Sequence, residues 1–209
     1  MRIALLGGTG RTGRQLIRVL LDRGHELNAL VRTPAKIRPD LERVNMIVGV
    51  SDSPQALNDL LKDADIVISA LGPDKKDPTL QSRTAAVLIP AMNRHGIVRF
   101  IGVSGEGVDL PGDRKNLVAK VVTFGIQRLA GPMVQDKFRE YELFRVSDLD
   151  WTLVRPPRLK DTKATGKITH DAHHATGSSS ITRADLAVFI ADLIEDPDYV
   201  QQAPFVAGI

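Results

Sequence analysis

Gly7, Gly10 and Gly13 recur at three-residue spacing in "RIALLGGTGRTGRQLIRVLLDRG", residues 2–24, between an apolar run and an amphipathic one. At a strand-to-helix turn, missing side chains let the backbone bend tightly, approach a pyrophosphate and pack the helix close to the strand. The free N–H groups and positive dipole end of the helix then face the phosphates. Thr9 and Thr12 add hydroxyl donors. This spacing, in that context, is suited to holding a dinucleotide. A site that prefers NAD has Asp or Glu about 20 residues beyond the glycines, accepting from the ribose 2′-hydroxyl. Here the stretch reads "NALVRTPAK": Arg32 stands in that place, Lys36 follows, and Arg11 projects from the glycine turn. A guanidinium offers forked donors suited to phosphate, and no carboxylate stands there to repel one. The expected cofactor is NADP(H), ahead of NAD(H).

Other candidate groups read as structural. His170, His173 and His174 cluster with Asp171 in "THDAHHATGSSS", but their spacing matches no helical ligand pair, so an exposed polar loop without metal is expected. His25 and His95 lie beside glycines at helix ends, where an imidazolium favours the dipole and capping is the natural role. Ser178 to Ser180 lack a G-x-S-x-G elbow, which argues against hydrolase chemistry. Zero cysteines exclude disulfides, thiolate metal sites and cysteine nucleophiles.

The elements that must position the glycine turn alternate along the chain. Short apolar runs at 3–6, 26–31, 44–48, 64–69, 98–103 and 151–155 read as strands. Helix-period segments cover 11–23, 56–61, 80–95, 117–129, a restart at Gly131-Pro132 to about Val146, and 184–194. Thr182 with Asp185 three residues on gives the last helix an N-cap. Such alternation means a parallel sheet covered by helices on both faces. With 209 residues, 43% hydrophobic, the chain suffices for one core, so a single doubly wound α/β domain over 1–209 is expected. A small C-terminal substrate cap comes mainly from about 105–135 and 156–182. No apolar stretch approaches the roughly 18 residues of a membrane span, and Met1-Arg2 leads directly into a strand without a signal-peptide pattern, so the expected location is the cytoplasm. Net charge is only +3 with no Lys/Arg run, which suits anionic small molecules rather than nucleic acid or membrane.

"GGTGRTG", "LVR", "VISALG", "VSGEG" and "DWTLVRPPRL", in that order, resemble the atypical short-chain dehydrogenases/reductases over nearly the whole chain. The likeness is greatest to the NAD(P)H-binding, NmrA-like proteins and the flavin reductase/biliverdin reductase B group. The resemblance implies a Rossmann-type domain with NADPH across the carboxyl ends of the strands. By position, Gly7, Thr9, Gly10, Arg11, Thr12, Gly13 and Arg32 would hold the adenosine diphosphate half. Ala70, Leu71 and Gly72 would line the middle, and Ser104, Arg155 and Pro156 would flank the nicotinamide ribose and ring. Ser104 and Lys137 are the implied catalytic pair. Pro157 and Arg158 would meet the substrate, Arg158 standing where the biliverdin reductase B pattern has histidine.

Two departures narrow the reaction. Val50 stands where many relatives have an adenine-contacting Asp, with Asp52 two places on. The Tyr-x-x-x-Lys pair of catalytically equipped short-chain dehydrogenases is missing; Tyr141 with Arg145 reads as a surface or packing pair rather than a catalytic one. Carbonyl reduction thus lacks its general acid, whereas a flavin or quinone delocalises the incoming charge and is protonated from water. The expectation is an NADPH-dependent oxidoreductase acting on a flavin, quinone or similar conjugated small molecule, as a monomer or homodimer. A non-catalytic NADP(H) sensor is the alternative, and an epimerase is disfavoured because it too needs the pair.

Overall fold

The strand Arg2–Leu6 (β1) is apolar on both faces, and Ile3, Ala4, Leu5 and Leu6 are all fully buried. Such a strand has to lie in the middle of a covered sheet. The computed structural model, which describes residues 1–33, 43–114, 117–176 and 178–209, places it there. Glu26–Val31 (β2) and Ile66–Ser69 (β4) flank it in parallel. Asn45–Val48 (β3) lies outside β2, while Arg99–Val103 (β5) and Asp150–Val154 (β6) extend the other half. The six-stranded order is β3-β2-β1-β4-β5-β6. This is the Rossmann-type doubly wound sheet.

Period-two alternation sends the side chains of β1 to two cores. Ile3 and Leu5 pack with Leu16, Ile17 and Leu20 of Arg11–Asp22 (α1) and with Leu186 and Ile190 of Arg183–Asp192 (α5). Ala4 and Leu6 face Leu57 and Leu60 of Pro54–Leu61 (α2), Leu88 and Met92 of Leu80–Arg94 (α3), and Phe144 near the end of Leu117–Arg145 (α4). Strand order reverses between β2 and β4 on either side of β1, opening a crevice at their carboxyl ends.

The helix starts follow local chemistry. Ser53 Oγ accepts from Ala56 N–H, and Pro54 occupies a first-turn position where its missing donor does no harm. Thr182 Oγ1 accepts from Asp185 N–H at 2.9 Å, the expected cap of α5. Within α4, Ala130 leaves helical geometry at φ −127, just before Gly131-Pro132, where the sequence predicts the restart. Four strands of three or four residues escape the sequence reading: Arg158–Lys160 (β7), Ile168–Asp171 (β8), Ser180–Thr182 (β9) and Phe205–Gly208 (β10). They pair as β7 with β9 and β8 with β10, and are too short to show an alternation of their own. Among the described residues, no helix is long and apolar enough to cross a membrane.

Candidate functional site

The glycine turn leaves β1 at Gly7, in the left-handed region at φ +75. A Cβ there would lie 2.6 Å from the Ala70 backbone, and one at Gly13 would lie 2.2 Å from the Gly7 carbonyl oxygen. Neither position has room for a side chain, so the turn, β4 and the start of α1 are in backbone contact. Gly10 is the N-cap of α1, without a side-chain cap and without an acid in the first turn. The first N–H groups of the helix therefore keep their donors for an anion.

Gly7, Thr9 and Gly10 form one wall of a cavity of about 560 Å³. Ala70, Leu71 and Gly72, past the end of β4, line it beside the glycine turn, as do Leu30, Gly49 and Ser51. Arg32, just past β2, reaches this cavity, and so do Asp74, Lys75 and Lys76 of the loop after β4. Arg32 Nη1 stands 3.7 Å from Asp74 Oδ2. Thr12 and Gly13 build the first turn of α1 behind the wall. Arg11 does not line the cavity as expected: its guanidinium is held by Asp161, 2.8 Å away. Lys36 lies outside the described residues. Asp52 is bound to Arg83, which also holds Asp77, while Gly49 and Ser51 line the cavity.

At the other end, β5 stops at Val103 and Ser104 N–H donates to Val154 O of β6 at 2.7 Å. Ser104 Oγ has no protein partner among the described residues. Lys137 Nζ donates to Val103 O at 3.3 Å, so the structure brings the two expected groups to neighbouring residues of one strand end. Burial lowers the Lys137 ammonium from its ordinary value, opposed by Glu140 and Asp136. Burial pushes the Glu140 carboxyl up to about 7, and its Oε2 has no hydrogen-bond partner among the described residues. Asp136 is fully used: it accepts N–H bonds from Gln81 and Ser82 and the Ser82 hydroxyl, capping the start of α3.

Arg155 is corrected by the structure. Its side chain is 1% exposed, clamped by Asp113 at 2.6 and 2.8 Å, donating to Ala203 O and Val108 O, and stacked 3.8 Å above the Phe205 ring. No donor is left for a ribose. Pro156 is buried at the end of β6, and its carbonyl accepts from Glu106 N–H at 3.0 Å. Pro157 is half-buried and Arg158 exposed at the start of β7. Tyr141 packs edge-on against Trp151, whereas Arg145 forms a surface ion pair with Glu142.

The histidines sort by local contacts. His170 Nδ1 meets the Tyr199 hydroxyl at 2.7 Å, while Asp171 accepts N–H bonds from His173 and His174, which hold its carboxyl down to about 2. His95 is the C-cap of α3 and its ring meets Asn58. His25 closes α1 through its backbone N–H to Leu20 O, and burial and the chain's amino terminus lower its imidazole from the ordinary value.

Residues 7–197 match the family model described as NAD(P)H-binding. The chain belongs to the NAD(P)H-binding family. This membership fits the resemblance to atypical short-chain dehydrogenases/reductases. YwnB of Bacillus subtilis (strain 168) is 23% identical over 206 residues, 95% of this chain and 94% of its own. The fold is shared with ChuY, an anaerobillin reductase from Escherichia coli O157:H7, at 20% identity and TM-score 0.83, covering 100% of this chain and 97% of that one. It is also shared with a short-chain dehydrogenase/reductase from Veillonella parvula DSM 2008, at 22% identity and TM-score 0.81, covering 99% and 94%.

The NAD(P)H-binding assignment agrees with the shape of the glycine turn. A nicotinamide dinucleotide fits a turn with no side chain at Gly7, Gly10 and Gly13, backed by an uncapped helix start and continued by Ala70, Leu71 and Gly72. Three groups near this path are missing from the sequence reading: Asp74, Asp136 and Glu140. Asp136, Glu140 and Phe144 recur every four residues on one buried helix face, a periodicity that was available to find the last two.

Proposed function

We propose that the chain is an NADPH-dependent oxidoreductase that passes hydride to a flavin, quinone or similar conjugated small molecule in the cytoplasm. Arg32 carries the cofactor half of this reading. It stands past β2, where an NAD site has its acid, and reaches the cavity together with Lys75 and Lys76. These cations suit a 2′-phosphate.

When bound, the nicotinamide supplies the hydride. The chain's own residues bind and orient. The glycine turn holds the diphosphate, and Ser104 offers a free hydroxyl at the end of β5 to the ribose, ring or acceptor. Lys137, bonded to Val103 O, contributes a cation below the same strand end. Neither group has the geometry of a tyrosine general acid, which favours an acceptor that delocalises charge and is set in place by stacking. A second cavity of about 400 Å³, lined from the proposed cap segment about 105–135 and the helix turn beyond it, supports an acceptor side there. Val108, Val134 and Phe138 give it apolar surface, and Asp109, Gln135 and Arg139 give it polar ends of both signs. Such a lining suits a flat ring system with polar substituents.

The test is to mix the protein with NADPH and a panel of flavins, quinones and dyes, and to follow nicotinamide absorbance. Oxidation with at least one acceptor is expected. Tight cofactor binding without oxidation across the panel would select the NADP(H) sensor, with which the absence of a Tyr-x-x-x-Lys pair is equally consistent.

A further inference from the structure

Asp74 faces Arg32 across the mouth of the cofactor cavity. Its Oδ1 accepts Lys76 N–H at 2.9 Å, and its carbonyl accepts Asp77 N–H at 3.1 Å, which closes a tight turn. Asp77 is in turn gripped by Arg83 at 2.8 Å. The carboxylate therefore sits on a pinned turn, with Oδ2 aimed at Arg32. The separation of 3.7 Å is longer than a hydrogen bond, and the Arg32 side chain is 67% exposed. This is a loose, solvated pair that Arg32 can leave at little cost.

Building on the proposed nicotinamide site, we infer that Asp74 is a specificity residue supplying, from the β4 side, the acid that β2 lacks. The site then takes NADPH first and keeps NADH as a weaker second donor. A 2′-phosphate carries more charge than one carboxylate and draws Arg32 away from Asp74, with Lys75 and Lys76 offsetting the repulsion between phosphate and Asp74. Without a 2′-phosphate, Arg32 stays neutralised by Asp74, whose remaining lone pairs accept from the ribose 2′-hydroxyl. One ion pair thereby serves both nucleotides.

The experiment is a titration of NADPH and of NADH, by calorimetry, into the wild-type protein and Asp74→Asn. The amide keeps an oxygen for Lys76 N–H, so the turn survives. NADPH affinity is expected to rise severalfold and NADH affinity to fall severalfold. Movement of both in the same direction, or of neither, overturns the role of Asp74 while leaving the nicotinamide site standing. A folded wild-type protein that takes up neither nucleotide overturns the site itself and Asp74 with it. Arg32→Ala serves as the reference: it should weaken NADPH and spare NADH, and equal loss of both would also count against the inference.

Discussion

The Arg155 guanidinium and the Asp113 carboxylate lie parallel, bonded at 2.6 and 2.8 Å, with side chains only 1% and 7% exposed. Removing one partner strands the other as a buried charge. Arg155→Met and Asp113→Leu should each cost about 3–5 kcal/mol in denaturant unfolding, and the double substitution should cost less than either alone.

Arg32→Ala should weaken NADPH by about tenfold or more, because a charge-assisted bond to phosphate is worth roughly 1.5–3 kcal/mol. NADH should change by less than about threefold. Titration with both nucleotides checks this, and a shallower salt dependence of NADPH binding should accompany the loss.

Gly13→Ala places a Cβ 2.2 Å from the Gly7 carbonyl oxygen, so the turn has to open. A stability loss of about 1–3 kcal/mol is expected, with nucleotide affinity falling further than stability does. Thermal unfolding with and without nucleotide separates the two: ligand should raise Tm in the wild type and hardly at all in the variant.

Glu140 gives the fold a pH slope. Its folded carboxyl is raised to about 7 from an ordinary 4.5 by burial. Between those values the folded chain keeps a proton that the unfolded chain has released. The stabilisation is therefore full below the ordinary carboxylate range and lost as pH rises through about 7. Urea titrations across this window should show a decline on the order of 1–3 kcal/mol, and Glu140→Gln should flatten it.

Ser104→Ala removes a hydroxyl that no protein group uses among the described residues. If it touches the reacting ring, turnover should fall by about tenfold with little change in Tm or NADPH affinity. Stopped-flow measurement of nicotinamide oxidation reads this directly.

Much of the frame was legible because the β1 alternation and the α1 periodicity each point at a core. Glu26–Val31 reads identically in sequence and structure. The short strands β7 to β10 were not, since three or four residues cannot establish a period and their pairing depends on partners up to 40 residues away. Arg155 misled for a related reason. Its place at the end of β6 suggested the cofactor, yet Trp151 and Leu153 of the same alternation are buried in the α2–α3 core, and a period of two puts Arg155 on that inner face. Its partner, Asp113, is 42 residues away and nothing local announces it. Arg32 was legible by position, whereas Asp74 opposite it comes from another crossover and emerges only when the sheet is assembled.

Gln81 joins two parts of the molecule that a long ligand would touch at different points. Its amide reaches the Leu71 carbonyl at 3.1 Å and its backbone N–H reaches Asp136 at 2.9 Å, next door to Lys137. The protein thus carries an internal ruler: the interval between the Leu71 backbone beside the glycine-turn cavity and the Lys137 ammonium at the end of β5 is spanned by one residue. A shorter mononucleotide would engage one mark on that ruler and leave the other idle.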